Sequence, residues 1–221
     1  MHFRLLILKI NNMNRKFKRS IRNREEHGFI YIFTEGKKTE PIYFNSKKSE
    51  IKSNDIKIKI KGTGHNTLGL VDYALNFIKR ERINLKVDEC WVVFDKDDFI
   101  RNFNSAIKKA SRSGLKVAYS NESFELWFLL HFSFTNSAIK RKDYNEKIEE
   151  NYRKETKNKR YKYNKTSGVL PLIDLIKNRE KDATRNAKKL LQQFKTEASF
   201  LKKNPSTTVY LLVERLNKLK K

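Results

Sequence analysis

The sequence predicts an α/β fold, with a mostly parallel four-stranded sheet flanked by helices and a helical C-terminal extension. Three observations predict it. Residues 29–33 (Phe-Ile-Tyr-Ile-Phe) and 91–94 (Trp-Val-Val-Phe) are unbroken apolar runs, as expected of strands buried on both faces. Ile56-Lys57-Ile58-Lys59-Ile60-Lys61 alternates strictly, so it keeps one face in water and belongs at a sheet edge. Between strands the apolar period lengthens to that of a helix, and strands joined through helices pair in parallel by right-handed crossovers.

Each element has a local cause. Thr39-Glu40-Pro41 opens a helix after the first strand, with proline in the first turn, where an N–H has no partner to lose. Gly62 and Gly64 end the edge strand, and Leu68, Val71, Tyr73, Leu75, Phe77 and Ile78 mark an amphipathic helix running to Ile83. Residues 100–113 read as a helix closed by Gly114, 115–119 as the fourth strand, and 124–132 as a helix apolar nearly all round and therefore buried. Beyond it, 136–165 reads as a solvated helix followed by a loop. Leu170, Leu172, Ile173, Leu175 and Ile176 begin another helix, and 209–219 forms the last. The domain organisation expected is a basic N-terminal arm (1–28), an α/β core (29–135) and a basic helical region packed on the core (136–221).

Of the 221 residues, 38% are hydrophobic and 15 are Phe, which is enough for a packed core and too much for a disordered chain. The lone Cys90 excludes a disulfide scaffold and a cysteine-rich zinc module, and at the start of a buried strand it reads as inert. The run Leu5 to Leu8 stops at Lys9, too short for a bilayer and without a cleavage site, so the chain reads as cytoplasmic with no membrane partner. Met13 opens a basic run and competes with Met1 as the start.

Fifty Lys and Arg stand against 25 Asp and Glu, a net charge of +25 that calls for a polyanion, nucleic acid first. Residues 1–28 carry +6, residues 136–221 carry +14, and 29–135 only +5. The flanks therefore suit a phosphate backbone. Candidate contacts are Arg15, Lys16 and Arg19 in the arm, Lys37, Lys38 and Lys96 beside the sheet, and Arg141, Lys159 and Arg160 in the C-terminal region. There Tyr144, Tyr152, Tyr161 and Tyr163 are interleaved with basic groups, a pattern that also suits base stacking.

The two apolar strands should be central, giving the order edge–first–third–fourth, with the winding reversing between first and third. Ligands of open α/β sheets sit at carboxyl strand ends at that reversal. Just past those ends stand Glu35 and, on the other strand, Asp95, Asp97 and Asp98, four carboxylates in one crevice. Such a cluster is disfavoured by repulsion unless a cation joins it. Mg²⁺ or Mn²⁺ takes oxygen ligands, polarises a phosphodiester and lowers the pKa of bound water. Asp95 and Asp97 point the same way along an extended segment, so both can reach one ion, and Glu35 supplies a further ligand or a general base. Asp98 reads equally well as the N-cap of the next helix. After the fourth strand, Asn121 suits an N-cap with Glu122 and Glu125 in the first helical turn. The same two acids, Glu122 ahead of Glu125, are secondary candidates for the crevice, as is Glu40. His2, His27, His65 and His131 form no ligand spacing, and His131 reads as a core histidine. Gly62-Thr63-Gly64-His65-Asn66 reads as a turn before a phosphate cradle.

Three stretches carry a family resemblance: Phe33-Thr34-Glu35-Gly36-Lys37-Lys38-Thr39-Glu40-Pro41-Ile42-Tyr43-Phe44, Val93-Phe94-Asp95-Lys96-Asp97-Asp98, and Ser120-Asn121-Glu122-Ser123-Phe124-Glu125-Leu126-Trp127. With the late Asn204-Pro205-Ser206-Thr207 they resemble the RloB-like family. The resemblance implies a Toprim-like, Rossmann-like fold in which a Glu after the first strand and a DxD after the third bind Mg²⁺, roles that fall on Glu35, Asp95 and Asp97. It also implies phage defence by abortive infection, with cleavage of DNA or RNA, tRNA included, and often an ATPase encoded alongside. Self-association is left open. A chain of this length has little room for a topoisomerase's tyrosine-bearing domain or a primase's template module, which leaves a nuclease as the expected Toprim activity. The alternatives are a non-catalytic nucleic-acid-binding or regulatory subunit, and a phosphotransferase of the haloacid-dehalogenase kind. The latter needs a downstream acidic pair on a strand, whereas Asp143, Asp174 and Asp182 fall in helical stretches.

Overall fold

A computed structural model describes residues 28–52, 56–96 and 100–220, apart from the side chains of residues 100 and 101. Arg15, Lys16, Arg19, Asp97 and Asp98 lie outside the described residues. Four strands, β1 (Gly28–Thr34), β2 (Ile56–Gly62), β3 (Glu89–Asp95) and β4 (Lys116–Ser120), form one sheet in the order β2-β1-β3-β4. All three pairings are parallel. They are linked by α1 (Thr39–Ser49), α2 (Thr67–Glu81) and α3 (Ile100–Arg112). The winding reverses between β1 and β3, as expected from the apolar runs. Beyond β4 come α4 (Glu125–Leu129), α5 (Asp143–Thr156), α6 (Val169–Ile176), α7 (Glu180–Gln192) and α8 (Val209–Asn217). Among the described residues no helix is long and apolar enough to cross a membrane.

The period of two splits the central strands between two cores. Ile30, Ile32, Trp91, Val93 and Ala118 face a core shared with α1, α4 and the C-terminal helices, through Trp127, Phe128, Leu172, Leu190 and Leu212. Tyr31, Phe33, Cys90, Val92, Phe94 and Tyr119 face the opposite core, closed by α2 and α3 through Leu70, Val71, Phe103 and Ala106. On the edge strand β2, Ile58 is buried while Lys57, Lys59 and Lys61 are exposed. Two of those lysines place their ammonium groups over aromatic rings: Lys59 Nζ sits 4.6 Å from the Phe29 ring centre and Lys61 Nζ 5.0 Å from that of Tyr73. Charged side chains along an open edge also discourage pairing with another chain.

Two elements differ from expectation. The buried helix predicted over 124–132 is regular only over α4 and goes on in tighter turns, His131 N donating to Phe128 O at 3.2 Å and Phe132 N to Leu129 O at 2.9 Å. Asn186 of α7 donates to Leu130 O at 2.9 Å. His131 Nδ1 lies 2.8 Å from Trp127 O, so Nδ1 carries the proton, while the buried Nε2 has no partner. Burial lowers the His131 pKa to about 4, which fits the core role expected of it. The loop expected before residue 165 is also built into the core, as Tyr144, Tyr161 and Tyr163 are buried.

Candidate functional site

The site is assembled at the carboxyl ends of β1, β3 and β4. The parallel ladder continues past the strands: Glu35 N donates to Val93 O at 2.9 Å and Lys96 N to Ser120 O at 2.9 Å. Those bonds fix the backbone that carries Glu35 and Asp95. Glu35 Oε2 accepts from Asp95 N at 3.3 Å, so the two predicted acids are brought side by side. Glu40, in the first turn of α1, turns back over the β1–α1 link, and a Cβ on Gly36 would lie 2.1 Å from its Oε2. Glycine is therefore needed at 36 for the close approach of that carboxylate.

Glu40 is 7% exposed, Asp95 8% and Glu125 2%. Burial raises the Glu40 pKa, with Glu125 adding to the rise, while its own and Gly36's N–H and the Lys165 ammonium oppose it. Asp95 is pushed well above the usual carboxylate range by burial first and then by Glu40, with Glu125 and Glu35 adding. Arg141 opposes that shift: its Nη1 stands 3.9 Å from Asp95 Oδ2, and its Nη2 donates to Lys96 O at 2.9 Å. Glu125, the first residue of α4, is held at both oxygens. Tyr163 OH donates to Oε1 at 2.9 Å and Ser123 Oγ donates to Oε2.

Glu122 and Glu125 are thus sorted differently from the expected ranking. Glu122 lies outside the helix at φ 82, a left-handed conformation uncommon for a side-chain-bearing residue. Its carboxylate is engaged by Lys96 Nζ and by Asn204 Nδ2 at 3.1 Å. Glu125 joins Glu40 and Asp95 in the crevice instead. Lys96, expected on nucleic acid, is therefore committed to Glu122. Asn121 is not an N-cap: α4 begins four residues later, and the buried Asn121 Nδ2 reaches the carbonyls of Phe200, Leu201 and Lys203 at 2.9–3.0 Å. That contact helps seat 204–208 against β4, where Ser120 and Thr207 form an antiparallel bridge and Thr208 N donates to Tyr119 O at 2.8 Å. Gly62 ends β2, and residues 63–66 link it to α2. Gly64 N donates to Glu35 O at 2.9 Å, and Asn66 caps α2 by accepting from Gly69 N.

A family model described as RloB-like protein matches residues 30–216. The chain belongs to the RloB-like family. The match covers both the acid crevice and the C-terminal helices of this RloB-like chain. No curated protein and no solved structure matches it.

Lys37, Lys38, Lys159 and Arg160 are exposed, and Arg141 is 44% exposed at the crevice. The base-stacking pattern expected of the tyrosines is not available from Tyr144, Tyr161 and Tyr163, whose rings are spent on the core. Tyr152 itself stacks on Tyr161, with ring centres 3.6 Å apart. Sequence reading missed Tyr163 and Ser123 as supports of Glu125. A tyrosine 38 residues from its partner leaves no spacing signal. Among the described residues, no three Asp, Glu, His or Cys side chains already stand as a metal-holding group.

Proposed function

We propose that this RloB-like chain is a Toprim-type, metal-dependent nuclease acting on DNA or RNA in phage defence, alongside an ATPase partner. The observation that carries the reading is the convergence of Glu35, Glu40, Asp95 and Glu125 at the sheet's winding reversal, in a chain of net charge +25. Structural acids are ordinarily neutralised by a partner, whereas Glu40 and Asp95 are both raised by burial and by neighbouring carboxylates. An all-oxygen donor set with excess negative charge fits a hard dication, Mg²⁺ or Mn²⁺. Glu35 and Asp95 would hold it, with Asp97 as the third ligand of the motif. When bound, the ion supplies charge stabilisation at the phosphoryl oxygens and a more acidic water. The chain's own residues do the rest. The β1 and β3 ends orient Glu35 and Asp95, Glu125 is fixed by Tyr163 and Ser123, and Glu40 keeps its proton to higher pH than an exposed glutamate.

A second reading, a nucleic-acid-binding subunit without catalysis, is favoured by one observation: Arg141 stands 3.9 Å from Asp95 and gives the crevice a cation of the chain's own. Incubation with Mg²⁺ or Mn²⁺ and plasmid, single-stranded DNA or total tRNA separates the two. Cleavage is expected from the wild type and to fall by about 100-fold or more in Glu35→Ala and Asp95→Ala. Cleavage that persists in both variants rejects this site. Silence on every substrate, with an ATPase partner and phage trigger supplied, establishes the binding subunit.

A further inference from the structure

Residues 157–165 (Lys-Asn-Lys-Arg-Tyr-Lys-Tyr-Asn-Lys) hold five cations and no acid. The segment is held in shape by polar contacts. Arg160 N donates to Asn158 Oδ1 at 3.1 Å, Arg153 Nε to Tyr161 O at 2.9 Å, Tyr163 N to Glu149 Oε1 at 3.0 Å, and Tyr161 OH to Gly168 O at 2.6 Å. Lys162 pairs with Glu149 at 3.3 Å. Lys157, Lys159, Arg160 and Lys165 are exposed, and none pairs with a carboxylate among the described residues. The loop is also tied to the acid crevice. Tyr163 OH donates to Glu125 Oε1, and the Lys165 ammonium acts on Glu40.

We propose that the 157–165 loop is the rim that takes the phosphate backbone of a polynucleotide and leads it to the acids. This deepens the reading of the crevice as a nucleic-acid site and rests on it. The recognition is of backbone and not of bases, because Tyr161 and Tyr163 turn inward and offer no stacking face. Binding is therefore tolerant of sequence and steep in salt. An anionic bilayer is the poorer fit, since the loop exposes no apolar side chain to insert.

The test is fluorescence anisotropy in EDTA over a salt series, using fluorescein-labelled mixed-sequence DNA and RNA oligonucleotides, single-stranded and duplex. The variants are Lys157→Ala/Lys159→Ala/Arg160→Ala/Lys165→Ala and an equal-charge control on the C-terminal helices, Lys177→Ala/Lys181→Ala/Lys189→Ala/Lys218→Ala. Thermal melting of each verifies folding. The loop variant should bind about 10-fold or more weakly at low salt, with a log–log salt slope shallower by about 3. The control should change far less. A loop variant that matches the wild type, or matches the control, overturns the proposal while leaving the nuclease reading intact. A wild type that binds no oligonucleotide overturns both. A loop dependence of binding beside cleavage indifferent to Glu35→Ala and Asp95→Ala upholds the loop and removes the acids.

Discussion

Glu89 and Asp95 are the first and last residues of the same strand, β3, and the fold treats them in opposite ways. Glu89 receives Lys116 Nζ at 2.7 Å, Arg215 Nε at 2.5 Å and the Trp91 indole N–H at 3.2 Å. Burial would lift its pKa, yet those three donors outweigh it and the carboxyl titrates below its ordinary value. Asp95 is more deeply buried, has three acids acting on it and a single guanidinium 3.9 Å away, and its pKa rises. The Glu89 end shows that this chain can neutralise a partly buried acid with partners from two other elements. The Asp95 end, where that has not happened, is where the proposed cation would act.

The comparison holds only if the Asp95 end is a rigid frame around strained charges and not a loosely packed one. Its largest expected effect is therefore on the frame. Asn121→Ala would leave the carbonyls of Phe200, Leu201 and Lys203 without their buried donor. A loss of about 2–4 kcal/mol is expected in urea unfolding. A loss under about 1 kcal/mol would mean that the Ser206–Thr208 pairing to β4 holds the segment without it.

Glu89→Gln probes the opposite end, and the effect is smaller because Lys116 is half exposed and its contribution is screened. The folded pKa of Glu89 is depressed, so its stabilisation is fully present above the ordinary value of 4.5 and is lost as pH falls through the folded value. At pH 7 the variant should lose about 1–2 kcal/mol. That loss should fade in acid. A pH-independent loss in thermal or urea melts would assign the effect to packing against Trp91 instead of to charge.

Much of this was legible in the sequence. Unbroken apolar runs made β1 and β3 central, strict alternation made β2 an edge, and the reversal between β1 and β3 brought Glu35 and Asp95 together. What remained hidden was set by contacts with no period. Whether Glu122 or Glu125 faces the crevice depends on one left-handed residue and on Lys96, which captures the nearer acid. Asn121 looked like a helix cap because its competing acceptors are about 80 residues away. The tyrosines between 144 and 163 looked like a stacking surface because a basic, aromatic segment has the same composition whether its rings point out or in. Tyr163 points in because Glu125 accepts its hydroxyl.

The sharpest discrimination comes from the smallest effect, the stability of Asp95→Asn. Below its ordinary value of 3.8, Asp95 is neutral in the folded and unfolded chain alike. Between 3.8 and the raised folded value, the native protein holds a proton that the unfolded chain has released, so folding grows less favourable as pH rises. Above the folded value the buried charge is carried at full cost. Asparagine never carries it. Asp95→Asn should therefore melt higher than the wild type at pH 7, by about 2–4 °C for each kcal/mol relieved, and the two curves should converge as pH approaches 3.8. Mg²⁺ should narrow the gap from the other side, raising the wild type and leaving the variant where it was. The sign is opposite to that of Glu89→Gln at every pH where either has an effect. If Asp95→Asn instead melts lower at pH 7, Arg141 outweighs the three surrounding acids, Asp95 is a structural acid like Glu89, and the contrast between the two ends of β3 disappears.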